Sequence, residues 1–283
     1  MLPHSNPQAR KARRVVVLSR GGSFLAEVMN ELRARRPLPE LTLLLSRERT
    51  AKRRQPLPWP QRLRELLLAL PRAARQHLLH RRTAREAGGG TRVVITGWLN
   101  GAWMRRDLRR LAPDVVVLAG CGLLAPEVLE IPREGVVNVH PGLLPWIRGN
   151  DLLANSLLRG VPLGATTFRV DAGIDTGGIL ERRLVPVRGG ESRNDLRLRM
   201  DRLWVEMTAE LVAAAAAGPL PPARPQRGRF PLCRVVADRA QHAAVDAAVH
   251  NGTARALFER WKSADGVTLL PEADAELVPH AGG

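Results

Sequence analysis

The run VVNVHPGLLPWIRG at 136–149 sets Asn138 and His140 two residues apart among Val136, Val137 and Val139. On an extended chain both polar side chains then leave from one face. Pro141 and Gly142 end such a strand at once. An amide donor and an imidazole at the carboxyl end of a buried strand stand where open α/β sheets keep their ligands, and both are groups that do chemistry. A third group and a ligand must come from elsewhere in the chain. Asp175 lies in the loop DAGIDTGG at 171–178, whose three glycines permit tight turns and close approach of backbone to a ligand. Taken alone, that loop reads as a turn between strands.

The elements that would position these residues are legible as alternating patterns. Apolar runs at 15–18, 41–45, 93–96, 115–118 and 136–139 are separated by helical stretches, which predicts βαβ units and a mostly parallel sheet with helices on both faces. The first crossover helix is expected over 23–36, after Gly21 and Gly22, with Ser23 as its N-cap. A helix from 150 to about 159 precedes strand runs at 165–170 and 179–187. Ser192 and Asp195 then open a helix whose stripe is Leu196, Met200, Leu203, Trp204, Met207 and Leu211. Gly218 and Pro219 close it. The Pro- and Arg-rich stretch 219–229 reads as a linker, and 230 onward as a small helical appendage with one or two helices between 238 and 262. The expected organisation is an α/β domain over 1–218, and a linker with its appendage over 219–283.

The first domain is expected to hold a basic insertion at about 47–92. That insertion carries 13 Lys and Arg against 3 Glu. Its segment 61–86 spaces Leu63, Leu66, Leu67, Leu70, Ala74 and Leu78 as one helical face, which reads as a helix laid on the sheet with Arg in water. The chain has 283 residues and a net charge of +17, and all of the excess sits in 1–110, where 25 Lys and Arg face 7 acids. Such a field permits contact with nucleic acid, membrane or anionic ligands without choosing among them. With only three Lys, abundant Ala and no Tyr, compositional bias is the preferred account. No run approaches the ~20 apolar residues of a bilayer span, which predicts a cytoplasmic protein. Cys121 and Cys233 make neither a disulfide framework nor a cysteine-rich metal site, and both are expected to be buried thiols.

Together, N-x-H-P-x-L-L-P-x-x-R-G and the later D-x-G-x-I-D-T-G-x-I loop resemble the folate-dependent formyltransferases, which include glycinamide ribonucleotide formyltransferase and the amino-terminal domain of methionyl-tRNA formyltransferase. The resemblance runs from about 14 to 218. It implies a Rossmann-like domain that moves a formyl group from 10-formyltetrahydrofolate to a small-molecule amine, with catalytic residues Asn138, His140 and Asp175 and no metal. In that chemistry Asn138 donates to a developing oxyanion, while His140 and Asp175 handle the proton the amine sheds. The pterin would sit against Leu123 and Leu124 on one side and Val170, Asp171 and Ala172 on the other.

Gly22 and Ser23, in the turn SRGGSF, are the implied acceptor or anion site. Phe24 stands where the purine enzyme has Asn, and the helix after Ser192 lacks that enzyme's acceptor-binding Gln-Glu pair, so a different amine is expected. The 65 residues after Gly218 are fewer than the carboxyl-terminal barrel of the methionyl-tRNA enzyme would need. Arg148 is expected to fix its loop. Two alternatives keep the scaffold and change the outcome: hydrolysis of 10-formyltetrahydrofolate, and a catalytically idle binding protein.

Overall fold

The apolar runs form the strands they predict, most of them extended by one to three residues. A computed structural model describes residues 13–35, 40–47, 80, 91–228 and 230–262. Strands β1 (Val15–Ser19), β2 (Leu41–Arg47), β3 (Thr91–Trp98), β4 (Val115–Ala119), β5 (Val136–His140), β6 (Gly164–Arg169) and β7 (Ile179–Leu184) make one sheet in the order β3-β2-β1-β4-β5-β6-β7. The first five are parallel; β6 runs antiparallel to β5, and β7 antiparallel to β6. The predicted insertion 47–92 and its Leu-striped helix lie outside the described residues apart from their ends and His80. That imidazole is buried, and its Nε2 lies 3.0 Å from the Arg20 carbonyl.

Helices α1 (Ser23–Ala34), α2 (Ala102–Leu111), α3 (Pro126–Leu129), α4 (Leu152–Leu158), α5 (Arg193–Ala217), α6 (Arg239–His250) and α7 (Thr253–Lys262) surround the sheet. Val15, Val17, Val115 and Val117 point into a core shared with Leu25 and Leu32 of α1 and Leu211 and Val212 of α5. The alternate residues Val16, Leu18, Val116 and Leu118 meet Met104 and Leu108 of α2 and Val128 of α3 on the opposite face. Cover on both faces explains why these strands are apolar without alternation. Each fully buried Val or Leu contributes about 1.5–3 kcal/mol, so the two faces hold the central strands firmly.

The α5 start obeys its sequence signal. Ser192 Oγ accepts from the Asp195 amide at 3.2 Å, and Asp195 Oδ2 accepts from the Ser192 amide at 2.9 Å. The start of α1 differs from expectation. Gly22, with φ of 104°, holds the N-cap position without any side-chain cap, and Ser23 is already the first helical residue. A left-handed φ suits glycine and leaves no place for a serine hydroxyl to cap. The strand predicted over 179–187 ends at Leu184, while Val185 and Val187 stay buried. They join Leu153, Leu157, Leu196, Met200, Val245, Val249 and Ala254 in a third core that docks α6 and α7 onto α4 and the first turns of α5.

Candidate active site

The cleft that holds the predicted residues opens where two strands part. The β4–β5 ladder pairs Val116 with Val136 and Val117 with Val137, and it goes no further. Beyond it Leu118 of β4 with Cys121, Leu123 and Leu124 of the turn after it stand on one side, and Asn138, Val139 and His140 of β5 on the other, around a cavity of about 350 Å³. Parallel strands that diverge at their carboxyl ends are the usual place for a ligand in such sheets. The Val139 carbonyl, past the end of the ladder, accepts from Trp204 Nε1 of α5 at 2.8 Å. Trp204 in turn stacks on Phe24 at a centroid distance of 3.8 Å and forms part of the cleft wall.

Asn138 and His140 share a face of β5, as their spacing requires, while Val137 and Val139 join the core on the opposite face. Among the described residues nothing takes the Asn138 amide, which lines the cleft. His140 is buried, with Nε2 2.9 Å from the Ile147 carbonyl. A carbonyl only accepts, so Nε2 carries hydrogen and the lone pair of the neutral ring is on Nδ1. Nδ1 lies 3.6 Å from Asp175 Oδ2. The same oxygen accepts from the Gly149 amide at 3.1 Å, which fixes its direction.

Burial pushes the imidazole below its usual range, and the Asp175 carboxylate and the Ile147 carbonyl partly offset that shift. The ring therefore sits neutral at pH 7, with two acceptors facing each other across a gap. A proton delivered to that gap turns the pair into a hydrogen-bonded imidazolium and carboxylate. Asn138, His140 and Asp175 thus present a donor and a proton acceptor to one cavity.

Gly142 is what allows the imidazole to seat. A Cβ there would lie 2.9 Å from His140 Nε2 and 3.0 Å from the Ile147 oxygen, against the very hydrogen bond that sets the tautomer. Asp175 has a φ of 53°, a conformation that costs a residue with a side chain roughly 1 kcal/mol. The surrounding loop must hold it there.

Leu123, Leu124, Val170, Asp171 and Ala172, the residues implied for the pterin, all line the cleft with the three polar groups. Asp171 is also occupied within its own loop, where Oδ1 accepts from Thr176 Oγ1 at 2.6 Å and the Gly173 amide at 3.0 Å. Gly22 and Ser23 do not line it, although Phe24 touches its wall through Trp204. Arg148 donates to the Phe230 carbonyl and so ties its loop to the later chain, as expected. Cys233 is buried, and burial pushes its thiol up, but Cys121 is half-buried on the cleft wall rather than in the core.

Sequence reasoning missed Trp204 and Leu232 as cleft residues. Trp204 carries an N–H that a purely apolar stripe would leave unsatisfied, and that was the available signal. A second cavity of about 600 Å³ shares Pro141, Gly149 and Asn150 with the first and is bordered by Asp151, Arg193, Arg197 and Asp201.

A model of the formyl transferase family matches residues 99–211. Methionyl-tRNA formyltransferase of Geobacter sulfurreducens is 38% identical over 116 residues, 40% of this chain and 37% of that protein. The Bordetella pertussis protein of the same name is 37% identical over 122 residues, 42% of this chain and 39% of its own length. The chain therefore spans well under half the length of the curated relatives it matches. Among solved structures, glycinamide ribonucleotide transformylase 1 from Symbiobacterium toebii aligns over 76% of this chain and 93% of its own with a TM-score of 0.52 at 22% identity. A 4-N formyltransferase from Francisella tularensis aligns over 84% and 88% with a TM-score of 0.54 at 15% identity. These two likenesses concern the fold. The stretch that matches the formyl transferase family, residues 99–211, carries β4 to β7 and all of Asn138, His140 and Asp175.

Proposed function

We propose that the protein is an N-formyltransferase that moves a formyl group from 10-formyltetrahydrofolate to an amine. The observation that carries this reading is the neutral His140 imidazole with Nδ1 turned to Asp175, beside an Asn138 amide that faces the same cleft. The cleft suits the folate. Leu118, Leu124, Phe168 and Val170 give it an apolar lining, and Leu123 and Ile174 stay exposed at its edge, as expected of residues that cover a flat ring system. When bound, the folate supplies an activated formyl carbon. Asn138 then donates its amide where negative charge develops on a carbonyl oxygen, in a site with little water to compete. His140 Nδ1 takes the proton an attacking nitrogen must lose, Asp175 stabilises the resulting imidazolium, and the proton is passed to the folate nitrogen as its bond to the formyl carbon breaks and tetrahydrofolate leaves.

The acceptor side is the larger neighbouring cavity, which meets the cleft at Pro141, Gly149 and Asn150. Its mixture of Arg193 and Arg197 with Asp151 and Asp201 suits an acceptor that is itself polar or charged. Incubation with 10-formyltetrahydrofolate and pooled amine metabolites, read by mass spectrometry, tests the reading. The name of the relatives makes methionyl-tRNA a separate arm. We expect a formyl mass gain on an amine with release of tetrahydrofolate. Formate released without any amine would mark hydrolysis instead, and no binding of a folate analogue at any accessible concentration would end the enzyme reading.

A further inference from the structure

We propose that Gln226 is a positioning residue for the catalytic carboxylate, and that the strap made by 224–228 and 230–234 is a built part of the active site. This rests on the reading of Asp175 as the proton-handling partner of His140. After α5 the chain turns back onto the sheet. Arg224 and Ile179 exchange backbone hydrogen bonds of 2.7 and 2.8 Å, which anchors the strap at the start of β7.

Two residues later Gln226 Nε2 donates to the carbonyls of Asp175 at 3.0 Å and Gly177 at 2.8 Å. Those carbonyls flank the turn in which Asp175 adopts its left-handed φ. The strap then reaches the other loop. Leu232 lines the cleft, the Cys233 amide donates to the Arg148 carbonyl at 2.7 Å, and the Asn150 amide donates to the Cys233 carbonyl at 3.1 Å. Gly149 is clasped between those two bonds, so closely that a Cβ on it would lie 2.6 Å from the Cys233 oxygen.

Gly149 is also the donor to Asp175 Oδ2. One segment therefore holds both sides of the contact that aims the carboxylate at His140: the acceptor through Gln226 and the donor through Cys233. The strap lies beyond residues 99–211, outside the stretch that the family model matches. Its course explains how a carboxylate on a glycine loop keeps its direction without a strand beneath it.

The test follows the His140 imidazole by NMR pH titration in the full chain, comparing wild type, Asp175→Asn, Gln226→Met and Gln226→Lys. Gln226→Met keeps the side-chain length and loses the donor, whereas Gln226→Lys restores a donor of similar reach. Asp175→Asn lowers the His140 pKa by removing the facing charge. Gln226→Met is expected to produce at least half of that shift, and Gln226→Lys to reverse at least half of the Met effect. Gln226→Leu, which also removes the donor without adding charge, gives the same readout should Gln226→Met fail to fold. Titration of the Gln226 variants as wild type, or a shift that Gln226→Lys leaves uncorrected, overturns the proposal. The measurement needs neither folate nor amine, so its failure is distinguishable from failure of the formyltransferase reading.

Discussion

At the scale of single residues, the geometry around His140 keeps one proton position open. His140 spends its Nε2 hydrogen on the Ile147 carbonyl, which leaves Nδ1 and the Asp175 carboxylate 3.6 Å apart. His140→Ala and Asp175→Asn are each expected to lower turnover by at least ~10²-fold, with circular dichroism unchanged. Near-normal rates for both would remove the pair from the mechanism. The same burial predicts an acid sensitivity. A folded-state pKa below the unfolded value of about 6.5 means that the unfolded chain binds the proton first, so stability present at neutral pH declines as pH falls through about 6.5 toward the folded value. Urea midpoints measured between pH 7.5 and 5 should fall less steeply for His140→Gln than for wild type.

Elements convert these residue properties into a site by where they stop. β5 separates from β4 after Val137, and the carbonyl that would have continued the ladder is met by Trp204 of α5 instead. Trp204→Phe keeps an aromatic ring against Phe24 but leaves the Val139 carbonyl without its indole donor. About 1 kcal/mol of stability should be lost in denaturant unfolding, together with part of the activity, because the carbonyl lies between Asn138 and His140. Ser192→Ala removes the α5 capping box, outside the folate cleft, and should also cost about 1 kcal/mol, but with turnover at saturating amine intact. The contrast separates the cap that α5 needs from the side chain by which the same helix holds the strand of Asn138 and His140. Gly142 shows the same coupling in the loop, since any side chain there would press on the imidazole that β5 delivers.

For the whole molecule, the chain beyond α5 belongs to the fold as well as to the site. Val245, Val249 and Ala254 are buried against Leu153, Leu196 and Met200, and Trp261 packs on Trp146, a residue of the loop that follows His140. A chain ended at Gly218 would expose those faces and release the 175 and 149 loops together. We expect it to aggregate or to melt well below the intact protein in differential scanning calorimetry, and any soluble fraction to be inactive. A stable and active truncated chain would show that the later elements are dispensable.

From the sequence alone came most of the elements and the identities of the polar groups that meet in the cleft. Short runs of Val and Leu between turn residues favour extended chain, Ser192 with Asp195 can satisfy a helix start locally, and the Asn138–His140 spacing on a strand puts two polar groups on one side whatever lies around them. Each of these is settled by contacts within a few residues. Convergence was not legible in the same way. That Asp175 faces His140, that Trp204 completes a strand edge, and that a Pro-rich stretch near Gln226 clasps both loops depend on hydrogen bonds between segments tens of residues apart. Such bonds exist only after the sheet has closed, because burial by the two helical layers brings those backbone groups together, and no local pattern records which will meet.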